Sequence, residues 1–354
     1  MLAERLPASS IALGAPRLIV IVDTEEAFDW TKSHSRSATN VAHIAEQSLA
    51  QRIYERYHLR PIYVVDYPVA TQEIGYRPLL GWLQDKRCEV GAHLHPWVNP
   101  PFDEEMCVRN TYPGNLSREL EQEKLSRLSD AIEKNLHIRP RIYKAGRYGI
   151  GSATGSILDE LGYQIDLSVV PETDFGADGG PNFRGINGDP FWFGPSARLL
   201  EIPVSVGWYG LLRQYGATLQ PLLTAEGSTK LHLPGILARL GLFERIRLTP
   251  EGTGFAELKR LTDTMLAAGK RVFCFTYHSP SLAPGNTPYV RNETDLGHFL
   301  ALIDQYCDYF LAACGGVACT PGELRNLLQH DATNEDSANS ISYVPTMIMR
   351  EKLQ

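Results

Sequence analysis

Short apolar segments alternate with helical patterns along most of the chain, and this alternation constrains the fold more than any other feature. Alternating strands and helices predict a parallel sheet with both faces covered, either an open doubly wound sheet or a (β/α) barrel. A glycine-rich phosphate loop after the first strand would favour the open form, and the sequence has none there. The predicted strands are Leu18–Val22, Ile62–Val65, Cys88–Ala92, Arg141–Lys144, Gln164–Val169, Leu199–Val206, Val272–Tyr277 and Gly316–Cys319.

Capping residues and 3.6-residue spacing locate the helices between these strands. Asn40 can cap one helix and Ser117 another, because both side chains accept backbone hydrogen bonds at a helix start. A further predicted helix, Phe255–Ala268, ends at Gly269, a residue type that readily follows a helix in the left-handed conformation. The last long predicted helix spans Asp295–Leu311.

Composition excludes several classes of protein. Of 354 residues, 43% are hydrophobic and 21% charged, which excludes collagen, coiled coils and wholesale disorder. The net charge is −7 without a cluster of basic residues, so a nucleic acid or an anionic membrane is not expected as the main partner. No transmembrane segment or signal-peptide pattern is visible, and we therefore expect a cytoplasmic protein. The six cysteines lack paired spacing and are predicted to be buried, reduced thiols.

The chain is predicted to contain a single catalytic domain. We assign residues 1–16 to an N-terminal extension, 17–330 to the domain itself and 331–354 to a polar C-terminal tail. Within the domain, residues from about 171 to 197 form an aromatic and glycine-rich insertion that is too long for a simple connection. None of these features determines the oligomeric state.

Acidic residues and histidines follow the first and third predicted strands. Ligands of parallel α/β folds bind beyond the carboxyl ends of the strands. Asp23 and Glu25 are two residues apart, so an extended backbone directs both to one face, and the same holds for His93 and His95. Such a group of imidazoles and carboxylates can share a metal ion. The spacing leaves open whether His95 binds the metal or merely packs beside Pro96.

Other strand ends bring reactive side chains to the same rim. His278 closes the strand VFCFTYH, and Asp166 lies on the strand YQIDLSVV. Lys144 and Arg147 come from IYKAGRYG, where glycine allows the backbone to approach a ligand closely. Carboxylate, imidazole and cationic groups are thus predicted to meet at one place.

In this order, the motifs resemble those of the polysaccharide deacetylases of carbohydrate esterase family 4, which share the chitooligosaccharide-deacetylase homology domain. The resemblance extends over five motifs from about Leu18 to Leu327 and implies a distorted (β/α)7 barrel. It implies a metal-dependent hydrolase that removes an N-acetyl group from an amino sugar in a glycoconjugate or polysaccharide precursor. The implied cofactor is Zn²⁺, with Co²⁺ or Mn²⁺ as alternatives, and the implied partner is a carbohydrate.

The resemblance also implies a role for individual residues. Asp23 corresponds to the catalytic base, kept ionised by Lys144 or Arg147. His278 corresponds to the general acid, oriented by Asp166. The implied metal ligands are Glu25, His93 and His95.

Aromatic residues near these motifs are candidates for sugar binding, because aromatic rings stack on sugar rings. The candidates are Trp97, Tyr148 and Trp192, and the backbone N–H near Tyr148 is also a candidate oxyanion donor. The chain departs from the family pattern in three ways. The metal-binding aspartate that usually stands next to the base is replaced by Glu25 in a D-x-E arrangement, which lengthens the ligand arm. The family usually spaces its two histidines by four residues, and Lys144 stands where arginine is frequent.

Three other functions stay open from the sequence. A metal-dependent amidase acting on a non-sugar substrate would use the same residues. A metal-free glycosidase could pair Asp23 with Glu25 or Asp166 as its two carboxyl groups. A non-catalytic relative would bind carbohydrate without turning it over.

Overall fold

The computed structural model describes residues 5–8, 13–224 and 232–329 of the chain. The predicted tail at 331–354 lies outside the described residues. Within them, no helix combines the length and the apolar character needed to cross a bilayer. All six cysteines are free thiols, four of them buried and two, Cys107 and Cys314, partly buried.

Twelve strands occur in the described part of the chain. They are β1 (Leu6–Pro7), β2 (Arg17–Thr24), β3 (Ile62–Val65), β4 (Glu89–Leu94), β5 (Ile142–Ala145), β6 (Ile165–Asp166), β7 (Phe191–Phe193), β8 (Leu199–Glu201), β9 (Val206–Tyr209), β10 (Glu244–Arg247), β11 (Val272–His278) and β12 (Val317–Ala318).

Seven of these strands run parallel, in the order β8-β6-β5-β4-β3-β2-β11. The sheet is extended by β7, which pairs antiparallel with β8, and by β1, which pairs antiparallel with β7. The short β12 adds a parallel pairing at the start of β2. Among the described residues β1 and β11 stand at opposite ends of this order, so the curled sheet is not closed by a ladder between them. The predicted distorted (β/α)7 barrel is confirmed.

Helices cover the outer face of the sheet. The predicted cap Ser117 is present and accepts the N–H of Leu120 at 3.3 Å. Asn40 accepts the N–H of Ala42 at 3.0 Å but is not the cap, because Val41 holds that position before the 3-10 helix Ala42–Glu46. Gly269, with φ of +80°, follows the helix Phe255–Ala267 as predicted. The helices are Gln47–Arg56, Tyr67–Thr71, Glu73–Gln84, Arg118–Leu136, Thr154–Glu160, Gly216–Thr224, Leu233–Arg239, Phe255–Ala267 and Glu293–Asp308, and residues 321–329 are also helical.

The two faces of each parallel strand bury different clusters, because successive side chains point to opposite faces. Ile19 and Ile21 of β2 belong to the cluster inside the barrel, whereas Leu18 and Val20 pack outward against the helices. Asp23 follows Ile21 by two residues, so its side chain also points into the barrel, at the carboxyl end of the strand. The alternation along β2 therefore positions the first acidic residue of the site.

Several predicted boundaries differ from the structure. The predicted strand Leu199–Val206 is divided between β8 and β9, because Pro203 has no N–H to continue the ladder. The predicted strand Gln164–Val169 is reduced to the two residues of β6. β10 was not predicted, and it pairs with β9 in a separate two-stranded antiparallel sheet. The last long helix begins at Glu293, since Asn292 caps it by accepting the N–H of Asp295 at 2.9 Å.

Replacing Gly91 in β4 by alanine is expected to lower the free energy of unfolding by about 2 kcal/mol or more. A Cβ at Gly91 would lie 2.7 Å from the carbonyl oxygen of Ile142 and 3.1 Å from Val64 Cγ1. These atoms belong to the two neighbouring strands, which the barrel prevents from moving apart. Urea unfolding of wild-type and variant protein measures the difference.

Gly81→Ala is the matched control for this substitution. Gly81 lies within the helix Glu73–Gln84, and a Cβ there meets no atom within 4 Å. Alanine should stabilise this helix by up to about 1 kcal/mol. A Gly91→Ala protein that is as stable as the wild type would contradict the close approach of β4 and β5.

Candidate active site

A cavity of about 590 Å³ opens at the carboxyl ends of the parallel strands. The strand register sets its floor, because Asp23 on β2 is the partner of His278 on β11, and His93 on β4 is the partner of Lys144 on β5. All four of these side chains line the cavity. Nine of the eleven predicted site residues line the cavity, namely Asp23, Glu25, His93, His95, Trp97, Lys144, Arg147, Tyr148 and His278.

Asp23 and Lys144 form a buried ion pair. Lys144 Nζ lies 2.5 Å from Asp23 Oδ1 and 2.6 Å from Oδ2, and it also donates to Thr276 Oγ1 at 3.3 Å. Burial is the largest influence on the pKa of Asp23 and acts to raise it, but Lys144, His93 and His278 together outweigh burial and the pKa is lowered. Burial likewise opposes the charge of Lys144, yet Asp23 raises the pKa of the lysine. Both side chains are therefore charged at neutral pH.

Glu25, His93 and His95 converge beside this pair. Glu25 Oε2 lies 3.3 Å from His93 Nε2 and 3.4 Å from His95 Nε2. All three residues are at least 97% buried, with exposed fractions of 2–3%. One ligand atom from each lies within 4.8 Å of the others. The structure thus brings together the three predicted metal ligands.

The other ring nitrogen of each histidine has a fixed partner. His93 Nδ1 donates to the carbonyl oxygen of Lys144 at 2.9 Å, and His95 Nδ1 lies 2.9 Å from Glu26 Oε2. Glu26 is held in turn by Trp97 Nε1, which donates to Oε1 at 2.7 Å. Such contacts orient an imidazole so that its Nε2 lone pair is available for a metal.

These side chains fit a divalent cation. Glu25 Oε1 is buried and has no hydrogen-bond partner in the described part of the chain. A buried carboxylate oxygen without a partner is costly unless a cation or proton accompanies it. Two imidazole nitrogens and one carboxylate oxygen form a donor set that Zn²⁺ binds in catalytic sites.

His278 lies on the opposite side of Asp23 from this cluster. Its Nε2 is 3.7 Å from Asp23 Oδ2, and its Nδ1 is 2.8 Å from Glu251 Oε2. The backbone N–H of His278 also donates to Glu251 Oε1 at 3.1 Å. Burial opposes the charged imidazole, but the carboxylates of Glu251 and Glu25 raise the pKa of His278 to about 10. His278 is therefore protonated at neutral pH.

The predicted contact between Asp166 and His278 is wrong. Asp166 pairs in register with Tyr143 on β5, one residue before Lys144, and so lies on the outer face of the sheet. It accepts a hydrogen bond from Ser168 and is buried beside Glu201, its register partner on β8. Burial raises the pKa of Asp166 to about 6. Glu251 occupies the position beside His278 that we predicted for Asp166.

Arg147 is not the cation that contacts Asp23. Its guanidinium donates to Thr111 Oγ1 at 2.6 Å, lies 3.3 Å from Asp178 Oδ2 and stacks 4.2 Å from the centre of the Tyr112 ring. The predicted choice between Lys144 and Arg147 is thus decided by geometry in favour of Lys144.

Two of the predicted sugar-binding aromatic residues are unsuited to that role. Trp97 is only 1% exposed and stacks on His95 with ring centres 4.2 Å apart, so it has no face for a sugar. Trp192 lies outside the cavity, 5.6 Å beneath the guanidinium of Arg325. Because Arg325 also donates to the carbonyl of Gln164, Trp192 lies toward the amino ends of the strands. Tyr148 does line the cavity.

Five charged residues that line the cavity were not predicted from the sequence, namely Lys32, Asp178, Arg245, Arg247 and Glu251. Glu251 follows β10, and Arg245 and Arg247 lie on it. The alternation in ERIRL, followed by TPEG, is a strand-and-turn signal that could have located them. Trp30 and Tyr289, also missed, add aromatic surface at the mouth.

His93→Ala is expected to weaken Zn²⁺ binding by about 100-fold or more, because it removes a ligand and even outer contacts contribute 10- to 100-fold. Equilibrium dialysis of the full chain against Zn²⁺, followed by elemental analysis, measures the affinity and the stoichiometry. His298→Ala is the control, since His298 is exposed on the helix Glu293–Asp308. Wild-type affinity in His93→Ala would remove His93 from the ligand set.

No protein-family model and no curated protein matches this sequence. A solved structure of a Mycobacterium smegmatis protein assigned to the polysaccharide deacetylases is 14% identical, with a TM-score of 0.49 and 100% of both chains covered. Peptidoglycan deacetylase PdaC from Bacillus subtilis is 11% identical, with a TM-score of 0.42 over 93% of this chain and 98% of that one. BA3943, a CE4 family pseudoenzyme from Bacillus anthracis, is 9% identical, with a TM-score of 0.41 over 88% and 66%. The solved structures to which this chain is similar thus include polysaccharide and peptidoglycan deacetylases and a pseudoenzyme of carbohydrate esterase family 4.

Proposed function

We propose that the chain is a metal-dependent hydrolase that removes the N-acetyl group from an amino sugar. The observation that carries this proposal is the buried cluster of Glu25, His93 and His95 directly beside the Asp23–Lys144 pair, in which Glu25 Oε1 has no hydrogen-bond partner among the described residues. The motif resemblance described above supports the same reaction. A divalent cation, when bound, polarises an amide carbonyl and makes a water molecule acidic near neutral pH.

Asp23 is the base in this proposal. Its carboxylate lies at the floor of the cavity, and the Lys144 ammonium keeps it ionised, as the lowered pKa of Asp23 indicates. Asp23 Oδ2 faces the gap toward His278 Nε2, 3.7 Å away, and takes the proton of the attacking water there. Lys144 is a positioning residue, because it acts through Asp23.

His278 is the acid. Glu251 holds Nδ1, which leaves the Nε2–H directed toward Asp23 and the cavity. A protonated imidazole can donate this proton to the leaving amine nitrogen, which an amide needs because an amide anion is a poor leaving group. The two groups have pKa values shifted in opposite directions, as an acid and a base acting together require.

Acetate release tests the reaction. We expect the Zn²⁺-loaded chain to release acetate from N-acetylglucosamine or its oligomers, and chelation to abolish the release. Asp23→Asn should lower kcat by about 100-fold or more, since a positioned base contributes 10²- to 10⁴-fold. Acetate assays at saturating substrate give kcat for both proteins.

Thermal unfolding of Asp23→Asn controls for misfolding, and Asp85→Asn, at an exposed position next to Arg87, is the matched control for the substitution itself. Bound Zn²⁺ with no release from any sugar would support an amidase with another substrate, or a binding protein without turnover. Release that resists complete chelation would contradict the metal dependence.

Glu251→Gln is expected to move the alkaline limb of the pH–rate profile to lower pH. The acid is active below the pKa of His278, which is raised to about 10, and activity falls as the pH rises through that value. Removing the Glu251 carboxylate lowers this pKa toward the ordinary 6.5. Profiles of kcat against pH at constant Zn²⁺ loading measure the shift.

Glu251→Asp separates charge from packing in this experiment. Aspartate retains the negative charge, so the alkaline limb should stay nearer to that of the wild type than in Glu251→Gln. If the alkaline limbs of the pH–rate profiles of wild type and Glu251→Gln are identical, Glu251 does not act through His278.

A further inference from the structure

Two arginines on β10 form one wall of the active-site cavity. Arg245 and Arg247 are two residues apart on a strand, so both point to the same face, and both line the cavity. Their charges repel each other, and burial together with Arg247 lowers the pKa of Arg245 to about 10. Two neighbouring guanidiniums in a half-buried wall are unfavourable unless an anion lies nearby.

Among the described residues that line the cavity, no carboxylate forms an ion pair with Arg245 or Arg247; Glu172, outside the cavity lining, acts on Arg245 alone and only offsets part of the burial that lowers its pKa. Four carboxylates line the cavity, and each has a closer cationic or imidazole partner. These pairs are Asp23 with Lys144, Glu25 with His93, Asp178 with Arg147, and Glu251 with His278. The positive charge of Arg245 and Arg247 is therefore in excess at the cavity wall, although the chain as a whole carries −7.

The two arginines differ in how far they are engaged by the protein. Arg245 NH2 donates to the carbonyl of Pro171 at 2.9 Å and to Thr173 Oγ1 at 2.5 Å, which anchors it to the insertion. Arg247 donates only through NH1, to Tyr148 Oη at 3.2 Å, among the described residues. The rest of its planar fork is available to a ligand, and such a fork binds carboxylate or phosphate through two parallel hydrogen bonds.

The Tyr148 ring fixes the distance between this wall and the reacting groups. Arg247 lies 5.4 Å from the ring centre, and Lys144 Nζ lies 5.2 Å from the same centre. Arg247 is thus one aromatic ring away from the cation that holds Asp23. If the acetamido group of a bound sugar lies at Asp23, an anionic group on the same sugar, or on the next group along, is within reach of Arg247.

We propose that the substrate is an acetamido sugar that carries an anionic group, a carboxylate or a phosphate, and that Arg247 binds this group. The inference rests on the proposed deacetylation for the position of the acetamido group. Arg245 adds positive charge behind Arg247 and fixes the wall to the insertion. Arg247 is thereby a specificity-determining residue.

Matched sugars test this inference. The probes are N-acetylglucosamine, its 6-phosphate, its 1-phosphate and its uronic acid, which differ only in the presence and kind of the anion. We expect the Zn²⁺-loaded chain to bind at least one anionic sugar about 10- to 100-fold more tightly than the neutral one, as a charged hydrogen-bonded pair contributes. Calorimetry measures binding, and acetate release measures turnover of the same probes. The tighter anion identifies phosphate or carboxylate as the group recognised.

Arg247→Gln should reduce this preference, the ratio of the affinities for the anionic and the neutral sugar in the same protein, to about twofold or less. Arg247→Lys, which keeps the charge but loses the fork, should give an intermediate preference. Arg198→Gln is the matched control, because Arg198 is exposed and lies outside the cavity. Raising the salt concentration should weaken the preference in the wild type.

The outcomes separate the two proposals. Equal binding of neutral and anionic sugars, or a preference that Arg247→Gln leaves intact, would overturn the anion inference whether or not acetate is released. Tighter binding of anionic sugars that Arg247→Gln abolishes supports the inference, and absence of acetate release in that case would overturn only the proposed deacetylation.

Discussion

The buried contact between Lys144 and Asp23 connects most of the site. Lys144 is fully buried, and its Nζ contacts Asp23 on β2 and Thr276 on β11, while its carbonyl oxygen fixes His93 on β4. One residue of β5 therefore ties together side chains from three other strands. A buried charge left without its partner costs several kcal/mol, so the pair constrains both the barrel and the chemistry. His93, a proposed metal ligand, and Asp23, the proposed base, keep their relative positions because they share this lysine.

The proposed acid His278 and the proposed base Asp23 are partners in the strand register, and their different neighbours distinguish them. Lys144, with His93 and His278, lowers the pKa of Asp23 in spite of burial, whereas Glu251 and Glu25 raise the pKa of His278 to about 10. Each charged group has a specific counter-charge, and the arginines of β10 are the exception. The excess positive charge is local to one wall, which is why a net charge of −7 does not predict which ligands the cavity attracts.

The sequence predicted those parts of the site that follow from strand periodicity. Two-residue spacing at the ends of β2 and β4 correctly indicated which carboxylates and imidazoles share a face, and the parallel register brought them together. The same logic misplaced Asp166, because β6 is short and Ile165, not Asp166, faces the interior. Glu251 could not be found from strand ends of the main sheet, since it follows a strand of the separate small sheet. Trp97 was predicted to bind sugar, because the sequence does not reveal that its ring is taken up by contacts with His95 and Glu26.

The close spacing of the two histidines depends on a residue from another strand. Gly146 follows β5, and a Cβ there would lie 2.6 Å from His95 Cδ2 and 2.5 Å from the carbonyl oxygen of Leu94. The absence of a side chain at Gly146 makes room for the His95 ring, while Trp97 covers its other side and holds Glu26 against Nδ1. In the family that this chain resembles, the second histidine usually lies four residues after the first, and tryptophan occupies that position here. A histidine two residues after the first reaches Glu25 because glycine on one side and tryptophan on the other hold its ring in place, so the three proposed ligands meet with a two-residue spacing of the histidines.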